Sequence, residues 1–227
     1  MAGPALRCGA AFLPMRRMGT LGSRLIPELG GLWQHVRRVP AIYLVLGLAA
    51  FVFQLNPGWR DVLIYERAAI AAGEWWRLWT GHLVHFGWPH FFADTGLFLL
   101  LGWSFGAKHP WASRLGFVLM PPFIASALYW FDPAMGRYGG LSAIDLGLLL
   151  LYVVQSWERK WTDWFWPLVL LIYVGEIALE MSGGGQGGGM IQFDDPTVRV
   201  ATSAHLAVAA YAAGAWAVGR GVRANAV

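Results

Sequence analysis

Three apolar stretches of this 227-residue chain carry chemically active side chains near one end. Ser142 follows Gly139-Gly140-Leu141, His205 lies near the start of the last stretch, and His90 and Asp94 lie one helical turn apart at the start of an earlier one. Serine becomes a nucleophile when a base removes its proton, and neutral imidazole is the usual base. A helix N-terminus at Ser142 favours the negative charge of a tetrahedral oxyanion. These residue types therefore predict nucleophilic catalysis, with Gly139-Gly140 allowing a substrate backbone to come close.

A structural interpretation of the same residues stays open at this point. Ser142 fits a helix N-cap, and His205 fits a packing histidine whose hydrogen bonds are satisfied. Ionisable groups inside apolar helices are costly, so they either mark a functional site or pair with one another and face a wet cavity. For Asp145, Glu176 and Glu180 we favour the second, structural interpretation.

The elements that must position these side chains are six apolar runs, each read as a helix that crosses ~30 Å of hydrocarbon. They cover 40–55, 91–107, 111–131, 141–157, 163–180 and 201–219. Hydrophobic residues make up 57% of the chain and charged residues 13%, which is about half the ~25% of globular proteins. The 14 tryptophans fit anchors at a membrane interface. We therefore predict an all-α, polytopic membrane protein, a bundle of six transmembrane helices.

Arginine and lysine predict the orientation of the bundle, because they concentrate in cytoplasmic loops. Most of the 17 Arg and Lys residues fall on the inner side if the N-terminus is inside. The prediction is N-in and C-in, with a basic cytoplasmic arm over 1–39, a membrane domain over 40–219 and a short cytoplasmic tail over 220–227. The second, fourth and sixth helices then begin at the outer face, which brings the serine, both histidines and the aspartate to one depth.

Net charge and cysteine content exclude several other classes of protein. The formal net charge of +4 follows from the inside-positive pattern, so it indicates a lipid bilayer rather than a nucleic-acid partner. The one cysteine, Cys8, excludes an internal disulfide framework and a cysteine-based metal site. The histidines of 82–90 are not spaced as zinc ligands. We expect no metal and no organic cofactor.

Several motifs resemble those of rhomboid intramembrane serine proteases. Residues 73–94 read Gly-Glu-Trp-Trp-Arg-Leu-Trp-Thr-Gly-His-Leu-Val-His-Phe-Gly-Trp-Pro-His-Phe-Phe-Ala-Asp, which resembles the first outer loop and second helix of that family. Gly-Leu-Ser-Ala at 140–143 resembles its Gly-x-Ser-Gly nucleophile motif, and Ala-His at 204–205 resembles its Ala-His on the sixth helix. The wording of 65–85 and the Tyr-Gly-Gly-Leu-Ser of 138–142 resemble the rhombosortase branch, which comprises proteases of the bacterial inner membrane.

The resemblance implies a role for each matching residue. Ser142 would be the nucleophile and His205 the base, a dyad without an aspartate. The Ser142 N–H and His90 would contribute to an oxyanion hole, and His85 would organise the outer loop. Further support falls to Asp94, Gly140, Trp76 and Arg77, and the Gly-rich 182–189 segment takes the place of a loop that caps the site. The expected partner is a transmembrane protein substrate. In a rhombosortase-like enzyme this would carry a C-terminal Gly-Gly sorting tail, and the enzyme would be a multi-pass protein of the inner membrane.

Three positions differ from the family's pattern. Asp94 stands in place of Asn, Ala143 in place of the second Gly, and Val208 in place of a Gly that lets the fourth and sixth helices pack closely. Asn donates a hydrogen bond to an oxyanion, whereas ionised Asp repels it. We therefore hypothesise that Asp94 is neutral and donates, as a protonated aspartate does in ketosteroid isomerase, and that activity is higher at mildly acid pH.

Two rival functions remain beside a protease. The first is a catalytically impaired rhomboid pseudoprotease that binds transmembrane helices without cutting them, and the retention of both Ser142 and His205 argues against it. The second is an unrelated transporter or scaffold. A transporter has discontinuous helices and polar groups at the bilayer midplane, whereas the polar residues of this chain are expected near the outer surface.

Overall fold

The computed structural model describes residues 39–157, 164–182 and 201–224. Nearly all of the predicted basic arm and most of the Gly-rich segment lie outside these residues. In chain order the described elements are α1 (Ala41–Leu55), α2 (Pro57–Leu63), β1 (Tyr65–Glu66), α3 (Arg67–Ala71), α4 (Arg77–Thr80), α5 (Trp88–Leu101), α6 (Pro110–Phe131), β2 (Arg137–Tyr138), α7 (Ser142–Trp157), α8 (Phe165–Ser182) and α9 (Thr202–Ala224). The all-α prediction is confirmed, because β1 and β2 contribute only two residues each.

The six long helices of the described residues, α1 and α5 to α9, fall on the six predicted apolar runs. Within that part, one segment, Ala112–Phe131, is long and apolar enough to cross a membrane alone. Helices α1 and α2 meet the same criterion only together and are bent by 117°, and shorter apolar helices cover Ser142–Val154 and Phe165–Leu179. The number of spans and the N-in orientation stay predictions. Helix α9 continues past the predicted end at 219 to Ala224.

Helix α5 continues as a π-helical turn, Gly102–Gly106, and the two glycines that bound this turn accept an aromatic ring. A Cβ at Gly102 would lie 2.6 Å from the ring of Tyr43, and a Cβ at Gly106 would also overlap it. Tyr43 is fully buried on α1, and its hydroxyl donates to Ser113 Oγ of α6 at 3.0 Å. One side chain therefore joins three helices at the end of α5 away from His90.

Helix α7 lies at the centre and packs against α5, α6, α8 and α9. Most of its side chains are buried, as expected of a helix that is apolar on every face. A Cβ at Gly147 would lie 2.5 Å from Val208 Cγ2 and 2.7 Å from Met120 Sδ. The small residue that α7 and α9 need is therefore on α7, and Val208 fills the space that it leaves. Ala143 is also fully buried.

The predicted outer loop between α1 and α5 is built largely of short elements. Its strand β1 pairs antiparallel with β2, so that Tyr65 lies opposite Tyr138. Arg77 is buried, donates to the carbonyls of Asp61 and Ile64 at 2.8 Å each, and forms an ion pair with Glu74 at 2.7 Å. Because one guanidinium satisfies two backbone carbonyls, Arg77 holds the loop closed. The β1–β2 pair ties that loop to the segment that precedes Ser142.

Two consecutive prolines in α6 provide a further attachment for the outer loop. A proline inside a helix cannot donate to the carbonyl four residues earlier, so Pro122 leaves the Val118 carbonyl without its helical partner. The indole N–H of Trp79 donates to that carbonyl at 3.2 Å. The imidazole of His82 contacts the Pro121 carbonyl at 3.2 Å. Two hydrogen bonds thus hold the outer loop against α6. The one to the Val118 carbonyl uses an acceptor that an uninterrupted helix would have occupied.

Candidate active site

Ser142 and His205 face each other where α7 and α9 begin. The distance from Ser142 Oγ to His205 Nε2 is 3.4 Å, which is a long hydrogen bond, and His205 is buried. The first helical hydrogen bond of α7 runs from the Asp145 N–H to the Leu141 carbonyl, so Leu141 is the N-cap. Ser142 is therefore one position inside the helix, and its hydroxyl is directed at an imidazole rather than at a capping N–H.

The imidazole of His205 has no second hydrogen-bond partner among the described residues, since its Nδ1 is buried and unpaired there. No carboxylate therefore orients this ring as in a catalytic triad. The start of α9 is fixed instead by Ser203, which donates to Asp132 Oδ2, just after α6, at 2.6 Å. The arrangement of two catalytic residues without an aspartate stays a prediction.

Asp94 lies against the backbone of the serine. The Ser142 N–H donates to Asp94 Oδ2 at 3.1 Å, His90 Nε2 lies 3.0 Å from the same oxygen, and His85 Nε2 lies 3.5 Å from it. The Phe86 N–H donates to His90 Nδ1 at 3.4 Å, which leaves Nε2 as the protonated, donating nitrogen. One carboxylate oxygen thus accepts from two converging N–H groups.

This geometry argues against the hypothesis that Asp94 is neutral and donates a hydrogen bond. Oxygen Oδ2 lies where the Ser142 and His90 N–H groups converge, which is the place that an oxyanion would take. Hydrogen bonds to the charged form of a carboxylate favour that form. The two donors expected to stabilise an oxyanion are therefore already engaged by a side chain of the protein.

The two glycines before Ser142 are required by the protein's own groups. Gly140 has φ +118°, a conformation that other residues rarely adopt, and a Cβ there would lie 2.8 Å from His90 Nε2 and 3.0 Å from Asp94 Oδ2. A Cβ at Gly139 would lie 2.7 Å from the Val84 carbonyl oxygen. These glycines let the turn pack against α5 and the outer loop. Their role in the approach of a substrate backbone stays a prediction.

A buried tyrosine and histidine, neither of them singled out from the sequence, hold that turn. The Tyr138 hydroxyl lies 3.4 Å from both His82 Nδ1 and the Gly140 carbonyl. Burial lowers the pKa of His82 to about 4, so its ring is neutral at neutral pH. A neutral ring that donates from Nε2 to Pro121 accepts at Nδ1. The only sequence feature that pointed to Tyr138 was the Tyr-Gly-Gly-Leu-Ser motif at 138–142.

Helix α8 also contacts the site. The Tyr173 hydroxyl donates to the Ser142 carbonyl at 2.6 Å, and its ring lies edge-on to His205 with centroids 6.4 Å apart. Nothing in the pattern of residues distinguishes Tyr173 from the other aromatic residues of an apolar run, although a buried tyrosine hydroxyl needs a partner. Asp145 is fully buried, and neither carboxylate oxygen has a hydrogen-bond partner in the described part of the chain.

Among the residues that the structure describes, no group of three or more His, Cys, Asp or Glu side chains is arranged to hold a metal ion. The side chains of Glu176 and Glu180 lie outside what the structure describes. What the site does contain is a serine hydroxyl within hydrogen-bond reach of an imidazole, the nucleophile and base of acyl transfer to serine. Two N–H donors converge on Asp94 Oδ2 beside them.

The comparisons with known proteins agree with this arrangement. A sequence model described as Rhomboid domain matches residues 72–220, which include the second part of the outer loop and helices α5 to α8 with most of α9. No curated protein matches the chain. Rhomboid proteins act in the membrane on transmembrane substrates and are in general serine proteases, although inactive members exist. Since the match covers well over half of the sequence, the chain is a membrane protein that belongs to the rhomboid family.

Proposed function

We propose that this chain is a serine endopeptidase that cleaves a membrane-anchored protein near the outer leaflet, with Ser142 as nucleophile and His205 as base. The observation that carries the proposal is the 3.4 Å distance from Ser142 Oγ to His205 Nε2, at the place where α7 and α9 both begin. The proposal includes the predicted topology, six spans with both termini inside in the inner membrane. That topology sets both residues at the outer face.

The chemistry proceeds by proton transfer and acylation. His205 Nε2 takes the proton of Ser142 Oγ as the oxygen attacks the peptide carbonyl carbon, which gives a tetrahedral intermediate. The carbon–nitrogen bond then breaks, the leaving amine takes the proton from His205, and an acyl-enzyme remains. Water, or an amine in a sorting reaction, then attacks the ester carbonyl carbon as His205 takes its proton. The ester carbon–oxygen bond breaks, and His205 returns the proton to Ser142 Oγ.

The intermediate needs donors for its oxyanion, and Asp94 engages both of the expected ones. The Ser142 N–H and His90 Nε2 each lie about 3 Å from Asp94 Oδ2. For catalysis the carboxylate must withdraw or take up a proton, and the two N–H groups then turn to the substrate oxygen. We infer that Asp94 restrains the resting enzyme.

The same contact is the observation that favours the second candidate, a pseudoprotease that binds transmembrane helices. If Asp94 never leaves the donors, Ser142 is poorly supported as a nucleophile. An active-site-directed fluorophosphonate distinguishes the two functions. A protease is labelled, the label is lost in Ser142→Ala and in His205→Ala, and both variants keep the thermal unfolding midpoint of the wild type. Absence of Ser142-dependent labelling in folded protein would favour the pseudoprotease.

We further propose that the substrate carries a C-terminal sorting tail, as in rhombosortases. The support is the wording of residues 65–85 and 138–142. A reporter protein ending in Gly-Gly, an apolar helix and a basic end should lose its tail when it is co-expressed with the wild type. It should keep its tail with Ser142→Ala, and when Gly-Gly is replaced by Val-Val. Equal cleavage of both reporters would contradict the assignment to that branch without affecting the dyad.

A further inference from the structure

An apolar groove runs between α1 and α5, on the part of the molecule that is not used by the dyad. Its volume is about 310 Å³, and it is lined by Leu44, Leu48, Phe51, Phe92, Gly96 and Leu99 among others. Most of these side chains are half-buried or exposed, so nothing in the described chain covers them. Thr95 is the one hydrogen-bonding side chain in the lining. The shape and chemistry are those of a slot for a hydrocarbon chain.

A second, polar pocket of about 230 Å³ lies where α1 gives way to α2. Its walls include Gln54, Arg60 and His85, together with the backbone of Gly87. Because the chain bends by 117° between the two helices, α2 leaves the direction of α1, and its Arg60 lines the polar pocket. Arg60 is exposed, and no carboxylate of the described residues pairs with it.

Trp88 joins the groove and the pocket. It lines the polar pocket, and its ring lies 6.3 Å from Phe51 and is stacked on Phe92 at 5.6 Å, both of which line the groove. The apolar slot thus ends at the wall of a cationic pocket. Trp and Arg at such a junction fit the polar boundary of a membrane, where indole rings are favoured and cations meet lipid phosphates.

We propose that the α1–α5 groove with the Arg60 pocket is a binding site for one anionic phospholipid of the surrounding membrane. One acyl chain lies in the groove against Phe51 and Gly96, and the phosphate lies beside the guanidinium of Arg60. An amphiphile fits because the apolar groove and the cationic pocket adjoin at Trp88. The lipid site is separate from the site of a substrate helix at Ser142. His85 lines the polar pocket and contacts Asp94, and Asp94 in turn contacts the Ser142 N–H.

The charge of Arg60 and the space beside Gly96 can be changed separately. Arg60→Gln removes the cation, and Arg60→Lys keeps it. A Cβ at Gly96 meets nothing within 4 Å, and Gly96 lines the groove, so Gly96→Leu adds side-chain volume there from an open position. Gly175 on α8 is equally open and gives the matched control Gly175→Leu. Arg137→Gln, which removes an outer arginine already paired with Asp61, is the control for charge.

The test is titration of the full-length protein in neutral detergent with phosphatidylglycerol, followed by native mass spectrometry, which counts bound lipids. We expect one tightly bound molecule, about five-fold weaker binding in Arg60→Gln, near wild-type binding in Arg60→Lys, and loss of the tight site in Gly96→Leu. The controls should bind as the wild type does, with unchanged unfolding midpoints throughout. Equal binding of phosphatidylcholine, displacement by inorganic phosphate alone, or equal effects of the control variants would each overturn the proposal.

Discussion

Replacing Asp94 by asparagine should accelerate acylation of Ser142. Oxygen Oδ2 of Asp94 now holds the Ser142 N–H at 3.1 Å, the position that an oxyanion needs. Even if the carboxylate withdraws to about 6 Å from the oxyanion, two unit charges repel by about 3 kcal/mol at an effective dielectric constant of ~20. That energy corresponds to about a 100-fold difference in rate. Asparagine removes the repulsion and can also donate from its amide.

The assay is the second-order rate constant for fluorophosphonate labelling, because it requires no identified substrate. Asp94→Asn should label about 100-fold faster than the wild type at neutral pH. The Ser142 and His90 N–H groups favour the charged carboxylate of Asp94, so the ratio of the two labelling rates should stay high as pH falls, for as long as both proteins are folded. Both proteins keep Ser142 and His205, so the comparison holds the nucleophile and the base constant. Asp61→Asn, a change at an exposed carboxylate, is the control and should leave the rate unchanged.

A ratio near one at every pH, or slower labelling of Asp94→Asn, would refute this reasoning. In that case the carboxylate would not compete with the oxyanion, and its contacts with His85 and His90 would be purely structural. Loss of labelling together with a lowered unfolding midpoint would show that the His90 ring depends on Asp94 for its position.

Three further predictions concern the groups around the serine. Tyr173→Phe removes the hydroxyl that donates to the Ser142 carbonyl at 2.6 Å, so it should lower the free energy of unfolding by about 1 kcal/mol in a denaturant titration. Gly147→Ala places a Cβ 2.5 Å from Val208 Cγ2 and should cost about 1–3 kcal/mol; Val208→Ala in the same protein should recover part of that loss. Because the pKa of His82 is about 4 in the folded protein and 6.5 in the unfolded chain, the unfolded state binds more protons between these values. Stability should therefore fall by about 3 kcal/mol as pH decreases from 6.5 to 4, and His82→Gln should flatten this part of the profile of unfolding midpoint against pH.

Each of the three has a control or a contrary result. Tyr211→Phe on α9 should change stability less than Tyr173→Phe, because no hydrogen bond of its hydroxyl is seen among the described residues. Gly175→Ala, at an open position, should be tolerated. An identical pH profile in wild type and His82→Gln would mean that the histidine is not the group that titrates.

The helices could be predicted from the sequence where each depends only on the composition of one continuous stretch of chain. The long helices α1 and α5 to α9 fall on apolar runs because each run is apolar over most of its length. The approach of Ser142 to His205 followed from placing both residues near the same ends of their helices. Orientation and number of spans stay predictions, since both depend on the membrane.

Contacts between side chains that are distant in sequence were not predictable. Asp94 was expected to donate because the family's asparagine does, but its position between two N–H groups depends on how α5 packs against α7. Gly140 was predicted to let a substrate approach. The His90 ring that fills the space beside Gly140 lies on another helix, so the sequence around Gly140 could not indicate this contact. Tyr173 is one aromatic among many in apolar runs, and only packing identifies its partner.

The pairing of Gly147 with Val208 restricts the order in which these two helices can evolve. An ancestor with small residues at both positions could acquire valine on α9 while the opposite residue remained glycine. A larger residue at 147 beside Val208 would force α7 away from α9 and separate Ser142 from His205. The reverse step, loss of the valine, leaves a cavity that costs stability but keeps both helices in place. Related sequences should therefore exchange the larger residue between positions 147 and 208 only through an intermediate that has small residues at both. The two positions should vary together.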